Sequence, residues 1–385
     1  MELAIAARAR NAYSFAWRIS LNKSTPKRSE TGGIGYDVIH FEALGAEARH
    51  LEKETSAAIK RQALPNAHRC LITPHSVQDY LKAHPDTVLP TIITTKTHSV
   101  LPDGYLEGSR KSIITRSAGY DHFEHLAARA NIASLREYCV NAVAQTAMKL
   151  VYAAAGRLND YTRLTATFGR RDAPAFVELG PHRVLTVFGV GRIGKRICEL
   201  AAANGLTVQG VDIRENELSA LYEGVRFVSK ETALRSSHII VNTMNLTRDQ
   251  GSRFYNVGYF GAEDFERTKK GLIFINVSRG EIAPESVLLE GYRSGRIAGI
   301  GLDVFSREAD LAARLNGDPV EGDDLAAAQT LINLSIQRCG NIYVQPHQGF
   351  HSDAAAKTKA VETIKHLSSW YRNQGRRFDE QLPYY

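Results

Sequence analysis

Short apolar runs alternate with longer helix-like segments along almost the whole chain. Val38–Phe41, Cys70–Thr73, Thr91–Thr95 and Ser112–Thr115 have the length and β-branched content of buried strands. So do Val184–Phe188, Thr207–Val211, His238–Asn242, Leu272–Asn276, Ile297–Asp303 and Asn341–Val344. Between them lie segments of helical composition or period. These are Ala46–Gln62, about Asn141–Arg157, the stretch carrying Ile193, Ile197, Leu200 and Ala201 on one face, and Pro284–Ser294 with proline at its start. The last runs to about Arg372, with Ser352 as its candidate N-cap. Strands alternating with helices predict an α/β protein built on a parallel, doubly wound sheet.

A chain of 385 residues can hold two domains, each with its own core. The first third is one α/β unit, and the long helix beginning near Asn141 reads as the bridge into a second. Ser20–Gly35 is polar and rich in Lys, Arg, Ser and Gly, so it reads as a loop. Arg307–Gly340 is mixed, with an Ala/Leu-rich segment over Leu325–Ile336, and reads as an insertion with some helix.

The most informative junction is Val184–Asp212, where strand, Gly189-Val190-Gly191-Arg192-Ile193-Gly194, helix, strand and Asp212 follow in order. The glycines fit G-x-G-x-x-G. Gly189 permits the tight turn out of the strand, and Gly191 leaves room for a pyrophosphate to reach the backbone. Gly194 lets the helix pack close to the sheet. The helix N-terminus offers free N–H groups and partial positive charge to the diphosphate. Asp212 is placed to accept hydrogen bonds from both ribose hydroxyls and to repel a 2′-phosphate, which favours NAD over NADP; Arg214 nearby works against that preference.

Charge refines this picture only slightly. The net charge is +7, with basic residues spread out rather than blocked, which suits an anionic small molecule or cofactor. No basic stripe with interleaved aromatics points to nucleic acid. Cys70, Cys139, Cys198 and Cys339 are far apart and form no CxxC pair, so a zinc site or disulfide framework is not expected, and a reducing cytoplasm is. The opening residues MELAIAARARNAYSFAW lack the apolar core of a signal peptide, and no run reaches the ~20 apolar residues of a membrane span.

Several separated stretches together resemble the D-isomer-specific 2-hydroxyacid dehydrogenases, and the D-lactate dehydrogenases among them. They are RSAGYDHFE, EYCVNAVAQ, the Gly189–Asp212 fingerprint, NVSRGEIAPESVLLEGYRSGRIAGIGLDVFSRE and NIYVQPHQGFHSDAA. The resemblance runs from about Ile113 to the C-terminus. It implies a flavodoxin-like substrate domain over residues 1–140, completed by 349–385, and an NAD-binding Rossmann domain over 141–348. It also implies a cleft between the two as the active site, and a homodimer joined through the cofactor domain.

The resemblance assigns roles residue by residue. Arg279 matches the arginine that grips the substrate carboxylate and keto oxygen, Glu308 the catalytic glutamate, and His347 the general acid. Gly189, Gly191, Arg192, Ile193, Gly194 and Asp212 fall on the cofactor side, with Asp303 near the nicotinamide carboxamide. Ala118, Gly119 and Tyr138 fall on the substrate side. Gln145 stands where the family commonly has Glu, Asn245 where Pro often precedes Leu-Thr, and the span from Glu308 to His347 is longer than usual.

The chemistry of these side chains suits such roles independently. A 2-oxo acid offers a carboxylate beside a carbonyl, and the arginine fork matches both while staying charged. Hydride arriving at C2 builds negative charge on the carbonyl oxygen, which needs a proton donor; imidazole ordinarily titrates near operating pH, and a neighbouring Glu308 would hold the His347 ring. His351 is a less well placed competitor. Lys96, His98 and Tyr120 could line the substrate side without catalytic roles. The expected reaction is NADH-dependent, reversible reduction of a 2-oxo acid, with pyruvate and D-lactate the first candidates. Alternatives on the same frame are glyoxylate or hydroxypyruvate reduction and formate or phosphoglycerate oxidation. A non-enzymatic NAD(H)-sensing protein is the alternative of another class.

Overall fold

A computed structural model describes residues 35–171 and 173–384. The expected loop over Ser20–Gly35 lies almost wholly outside the described residues, as do the first residues of the chain.

The apolar runs become two parallel sheets. The first is made of β1 (Val38–His40), β2 (Cys70–Ile72), β3 (Ile92–Thr95), β4 (Lys111–Thr115) and β5 (Ala130–Ser134) in the order β2-β1-β3-β4-β5. The second contains β6 (Val184–Phe188), β7 (Thr207–Val211), β8 (Arg226–Phe227), β9 (Ile239–Asn242), β10 (Leu272–Asn276), β11 (Ile297–Leu302) and β12 (Ile342–Val344). Its order is β12-β11-β10-β9-β6-β7-β8. Every pairing is parallel, as expected for strands buried on both faces. The first order is that of flavodoxin-like sheets. The second is the doubly wound dinucleotide-binding order, whose direction reverses between β6 and β9, and ligands collect outside the strand ends at such a reversal.

Helices cover both faces of each sheet. Helix Val140–Ala155 buries Val143, Ala144, Ala147, Val151 and Ala154 against the second sheet. Helix Arg192–Ala203 packs beside it with Ile197 and Ala201 inward. On the other face, Phe188, Phe260, Phe265 and Phe274 form a chain of edge-to-face rings. The final helix, Ala355–Arg372, returns to the first sheet, where Ile364 and Leu367 join Val38, Ile92 and Ile114 in one core. The chain end continues that return: Leu382 N–H donates to Ile132 O at 2.8 Å, and Asn131 donates to Arg376 O at 2.8 Å.

One strand was not anticipated, and two local expectations need correction. Residues Ala130–Ser134, whose small side chains give no strong strand pattern, form β5 and are buried throughout. The span after Arg307 is more regular than a mixed insertion: Glu308–Leu315 and Asp323–Ile336 are helices, folded against the second sheet through Leu311, Leu325 and Leu331. Ser352 does not cap the final helix; Ala354 is the N-cap, without a side-chain bond, because the chain makes one further turn before the helix begins.

Candidate active site

The carboxyl ends of the two sheets face a common cleft of about 1290 Å³. Gly189, Gly191, Arg192, Ile193, Gly194 and Asp212 line it from one side, and Ala118, Gly119 and Tyr138 from the other. Arg279, Asp303, Glu308 and His347 lie in the same lining. The fold thus brings together every site residue expected from the sequence.

The three glycines occupy distinct environments. Gly189 has φ +85°, and a Cβ there would lie 2.7 Å from the Met244 backbone. A Cβ on Gly194 would run into Gly189 O, so the helix can approach the strand only because that side chain is missing. A Cβ on Gly191 meets nothing within 4 Å, so the turn is open where a diphosphate would approach the start of helix Arg192–Ala203. Asp212 holds this cradle, accepting from Val190 N–H at 2.9 Å and Arg214 N–H at 2.9 Å. The open turn, the helix start and the acid at the next strand end fit a dinucleotide. Arg192 also reaches Glu380 of the chain end at 3.2 Å, linking the cofactor loop to the first sheet's unit.

Across the cleft, β4 leads into Ser117, Ala118 and Gly119. The Ser117 hydroxyl donates to Gly119 O at 2.7 Å and fixes the turn. The N–H groups of Ala118 and Gly119 find no acceptor among the described residues, which leaves two donors for an anion. Arg116 is not part of that anion site. It is fully buried and bonds Glu47 at 2.9 Å, the Thr94 hydroxyl and Phe41 O. It therefore holds β1, β3 and β4 to helix Gly45–Lys60. Breaking one partner of such a buried pair typically costs about 3–5 kcal/mol.

Arg279 leaves the end of β10. Its Nη1 donates to Ser278 O at 2.8 Å and its Nη2 to Asp121 Oδ1 at 2.9 Å. Asp121 was only part of a motif in the sequence; here it joins Arg279 and Arg248, the latter at 3.1 Å, from the opposite wall. Burial would raise its carboxyl, but the two guanidinium groups outweigh that and hold it below the usual range. A Cβ on Gly119 would meet the Arg279 guanidinium, so a side chain there would push that group aside.

His347 follows β12 and Pro346 in the left-handed region, φ +51°. Asp303 holds that loop. Its carbonyl accepts His347 N–H at 2.7 Å, and its carboxylate accepts Gln345 Nε2 at 2.6 Å, Gln348 N–H at 2.9 Å and Gly349 N–H at 2.9 Å. Asp303 is therefore a positioning group for the histidine loop as well as part of the cleft wall. Burial raises its carboxyl despite these donors.

The His347 ring meets Glu308 with Nδ1 2.9 Å from Oε2. Glu308 would be raised by burial, but the His347 hydrogen bond and charge, Phe305 N–H and Arg279 more than offset this and hold it below the ordinary range. An ionised carboxylate only accepts, so Nδ1 carries the proton and Nε2 is the ring atom left for exchange. Tyr138 packs edge-on to Phe350 with centroids 6.4 Å apart. Lys96, His98 and Tyr120 also line the cleft. Lys359 and Phe350, which the sequence did not single out, stand beside Tyr138.

Comparison with known proteins decides the family. Residues 148–349, over half of the chain, match the D-isomer specific 2-hydroxyacid dehydrogenase, NAD binding domain. The chain belongs to the D-isomer-specific 2-hydroxyacid dehydrogenases. Among curated relatives, an aromatic 2-oxoacid reductase of Clostridium sporogenes is 27% identical over 273 residues, which is 68% of this chain and 75% of that protein. The D-lactate dehydrogenase of Escherichia coli is 24% identical, over 67% of this chain and 75% of that protein. The D-lactate dehydrogenase from Aquifex aeolicus, solved with NAD and lactic acid, has the same fold, with a TM-score of 0.69 and 20% identity. That match covers 87% of this chain and 96% of the other. The protein is accordingly an NAD-dependent oxidoreductase of this family, and its cofactor is NAD. No described helix is long and apolar enough to cross a membrane.

Proposed function

We propose that this dehydrogenase reduces a 2-oxo acid to the D-2-hydroxy acid, reversibly, in the cleft between residues 1–140 with 349–385 and residues 141–348. The observation that carries the reading is the convergence of Arg279, Glu308 and His347 on one cleft with the glycine turn and the open N–H groups of Ala118 and Gly119. The bound nicotinamide supplies the hydride chemistry.

The protein's own groups account for binding and proton transfer. Arg279, fixed by Asp121 and Ser278, presents its remaining donors to the substrate carboxylate and carbonyl, and the Ala118 and Gly119 N–H groups complete the carboxylate's shell. Nε2 of His347 gives a proton to the carbonyl oxygen as negative charge builds there, and Glu308 stabilises the ring while it is charged. In the reverse direction neutral Nε2 takes the hydroxyl proton. Pyruvate, the smallest 2-oxo acid whose product is chiral, is the reference substrate, and glyoxylate, hydroxypyruvate and phosphoglycerate chemistry fit the same machinery. The intact Arg279, Glu308 and His347 set favours an enzyme over an NAD(H)-sensing binding protein, which would bind NADH without turning over any acid. The same reading carries a homodimer joined through the cofactor domain, in the cytoplasm. Analytical ultracentrifugation is expected to give one species of twice the chain mass, and a monomer would remove that part.

Cofactor choice gives a separate test. Asp212→Ala removes the charge that opposes a 2′-phosphate and leaves Arg214 beside the vacated space, the two side chains now being 3.8 Å apart. The ratio of kcat/KM for NADH over NADPH is expected to fall by about tenfold or more, the scale of one charge contact. An unchanged ratio would place the discrimination on another residue.

A further inference from the structure

One buried charge in the cleft has no role in the chemistry just described. Lys359 lies in the final helix and is only 5 % exposed, yet it lines the cleft. Its ammonium sits between two ring faces, 4.7 Å from the Tyr138 centroid and 4.8 Å from that of Phe350. Among the described residues no carboxylate lies within ion-pair distance of it.

The nearby acids are already engaged. Glu47 bonds Lys96 Nζ at 2.7 Å and Arg116 at 2.9 Å. Glu362 accepts the N–H groups of Glu137 and Tyr138, at 3.1 and 2.8 Å. Glu42 accepts from Thr95, Ser99 and Lys96 N–H. Lys96, Arg116 and Lys359 share the field of Glu47, whose carboxylate pairs with Lys96 and Arg116 and not with Lys359. Burial, and then the neighbouring cations against Glu47, push the Lys359 ammonium down to about 8. The two rings offset part of the cost of burying it. A methionine would fill the same space without that cost.

We propose that Lys359, with Lys96 beside it and Tyr138 and Phe350 as walls, forms a subsite for a second anionic group on the substrate, so that the preferred substrates are 2-oxo acids whose side chain ends in a carboxylate or a phosphate. This rests on the dehydrogenase reading above and extends it to the substrate class. Phe350 is three residues beyond His347, and Tyr138 packs on Phe350, so the histidine loop itself forms part of the subsite. The aromatic walls exclude water from the anion and strengthen its attraction to the ammonium.

Steady-state NADH oxidation with size-matched acids tests the proposal. 2-Oxoglutarate is compared with 5-methyl-2-oxohexanoate, and oxaloacetate with 4-methyl-2-oxopentanoate. 3-Phosphohydroxypyruvate is added to tell phosphate from carboxylate. The wild type is expected to favour the anionic member of each pair by about tenfold or more in kcat/KM. In Lys359→Met that ratio is expected to fall about 30-fold, the scale of one charged hydrogen bond, and Lys359→Arg is expected to restore part of it. A wild type favouring the neutral acids, or a ratio equal in wild type and Lys359→Met, would overturn the subsite.

Calorimetric binding to the NADH-saturated protein separates the subsite from the reading beneath it. Its probes are N-oxalylglycine, a dianion, and oxamate, a monoanion. If no acid is turned over but N-oxalylglycine binds more tightly than oxamate in a Lys359-dependent way, the subsite stands and the dehydrogenase reading fails. If neither turnover nor that difference is found, both fail.

Discussion

His347→Ala is expected to lower kcat for 2-oxo acid reduction by about a hundredfold or more, with NADH affinity retained. The magnitude is the usual one for losing a positioned general acid. The geometry explains why no neighbour can substitute. Nδ1 is committed to Glu308 at 2.9 Å, so the only exchangeable proton sits on Nε2. The ring is held by a backbone in the left-handed region, which Asp303 stabilises through His347 N–H at 2.7 Å and through the next two N–H groups. His351 follows Phe350 on a different turn and has no comparable partner set among the described residues. Stopped-flow measurement of NADH oxidation with saturating acid, beside fluorescence titration of NADH, reads both quantities. Near-normal kcat in the variant would remove His347 from the chemistry. A parallel loss of NADH affinity would mean that the histidine loop had collapsed.

Arg279→Lys keeps the charge and loses the fork. One Nη donates to Ser278 O at 2.8 Å and the other to Asp121 at 2.9 Å, and the guanidinium still has further N–H groups to offer a ligand. An ammonium has three donors on a single atom and cannot hold two walls of the cleft while gripping a carboxylate and a carbonyl in one plane. The expected result is a fall of about 10²–10³ in kcat/KM, the cost of losing a desolvated bidentate contact, with NADH affinity unchanged. Equal loss of both constants would point to a disturbed fold, since Asp121 joins Arg279 to the opposite wall. Unchanged kcat/KM would remove Arg279 from substrate binding.

Much of this arrangement could be read from the chain because its signals are local. The two sheets announce themselves in apolar runs, and β10 was legible to the residue as LIFIN. The glycine turn, Arg279, Glu308 and His347 each sit within a few residues of a strand end, where ligands gather on such sheets. What escaped was made by tertiary packing. Ala130–Ser134 carries small residues that pair only because β4 and the returning chain end enclose them. Asp121 and Arg279 are 158 residues apart, and nothing in either local sequence predicts their bond. Arg116 opens the RSAGYDHFE stretch but is sealed in the core by Glu47, 69 residues away. Lys359 is an ordinary helix residue until the final helix folds back and places it between Tyr138 and Phe350.

The most direct test of the central claim is the configuration of the product. The purified chain is supplied with NADH and the panel of 2-oxo acids, NADH oxidation is followed by absorbance, and the hydroxy acid formed is resolved by chiral chromatography. The account predicts turnover that depends on NADH and yields the D-isomer alone. An L-isomer, or tight NADH binding with no turnover of any acid, would contradict it.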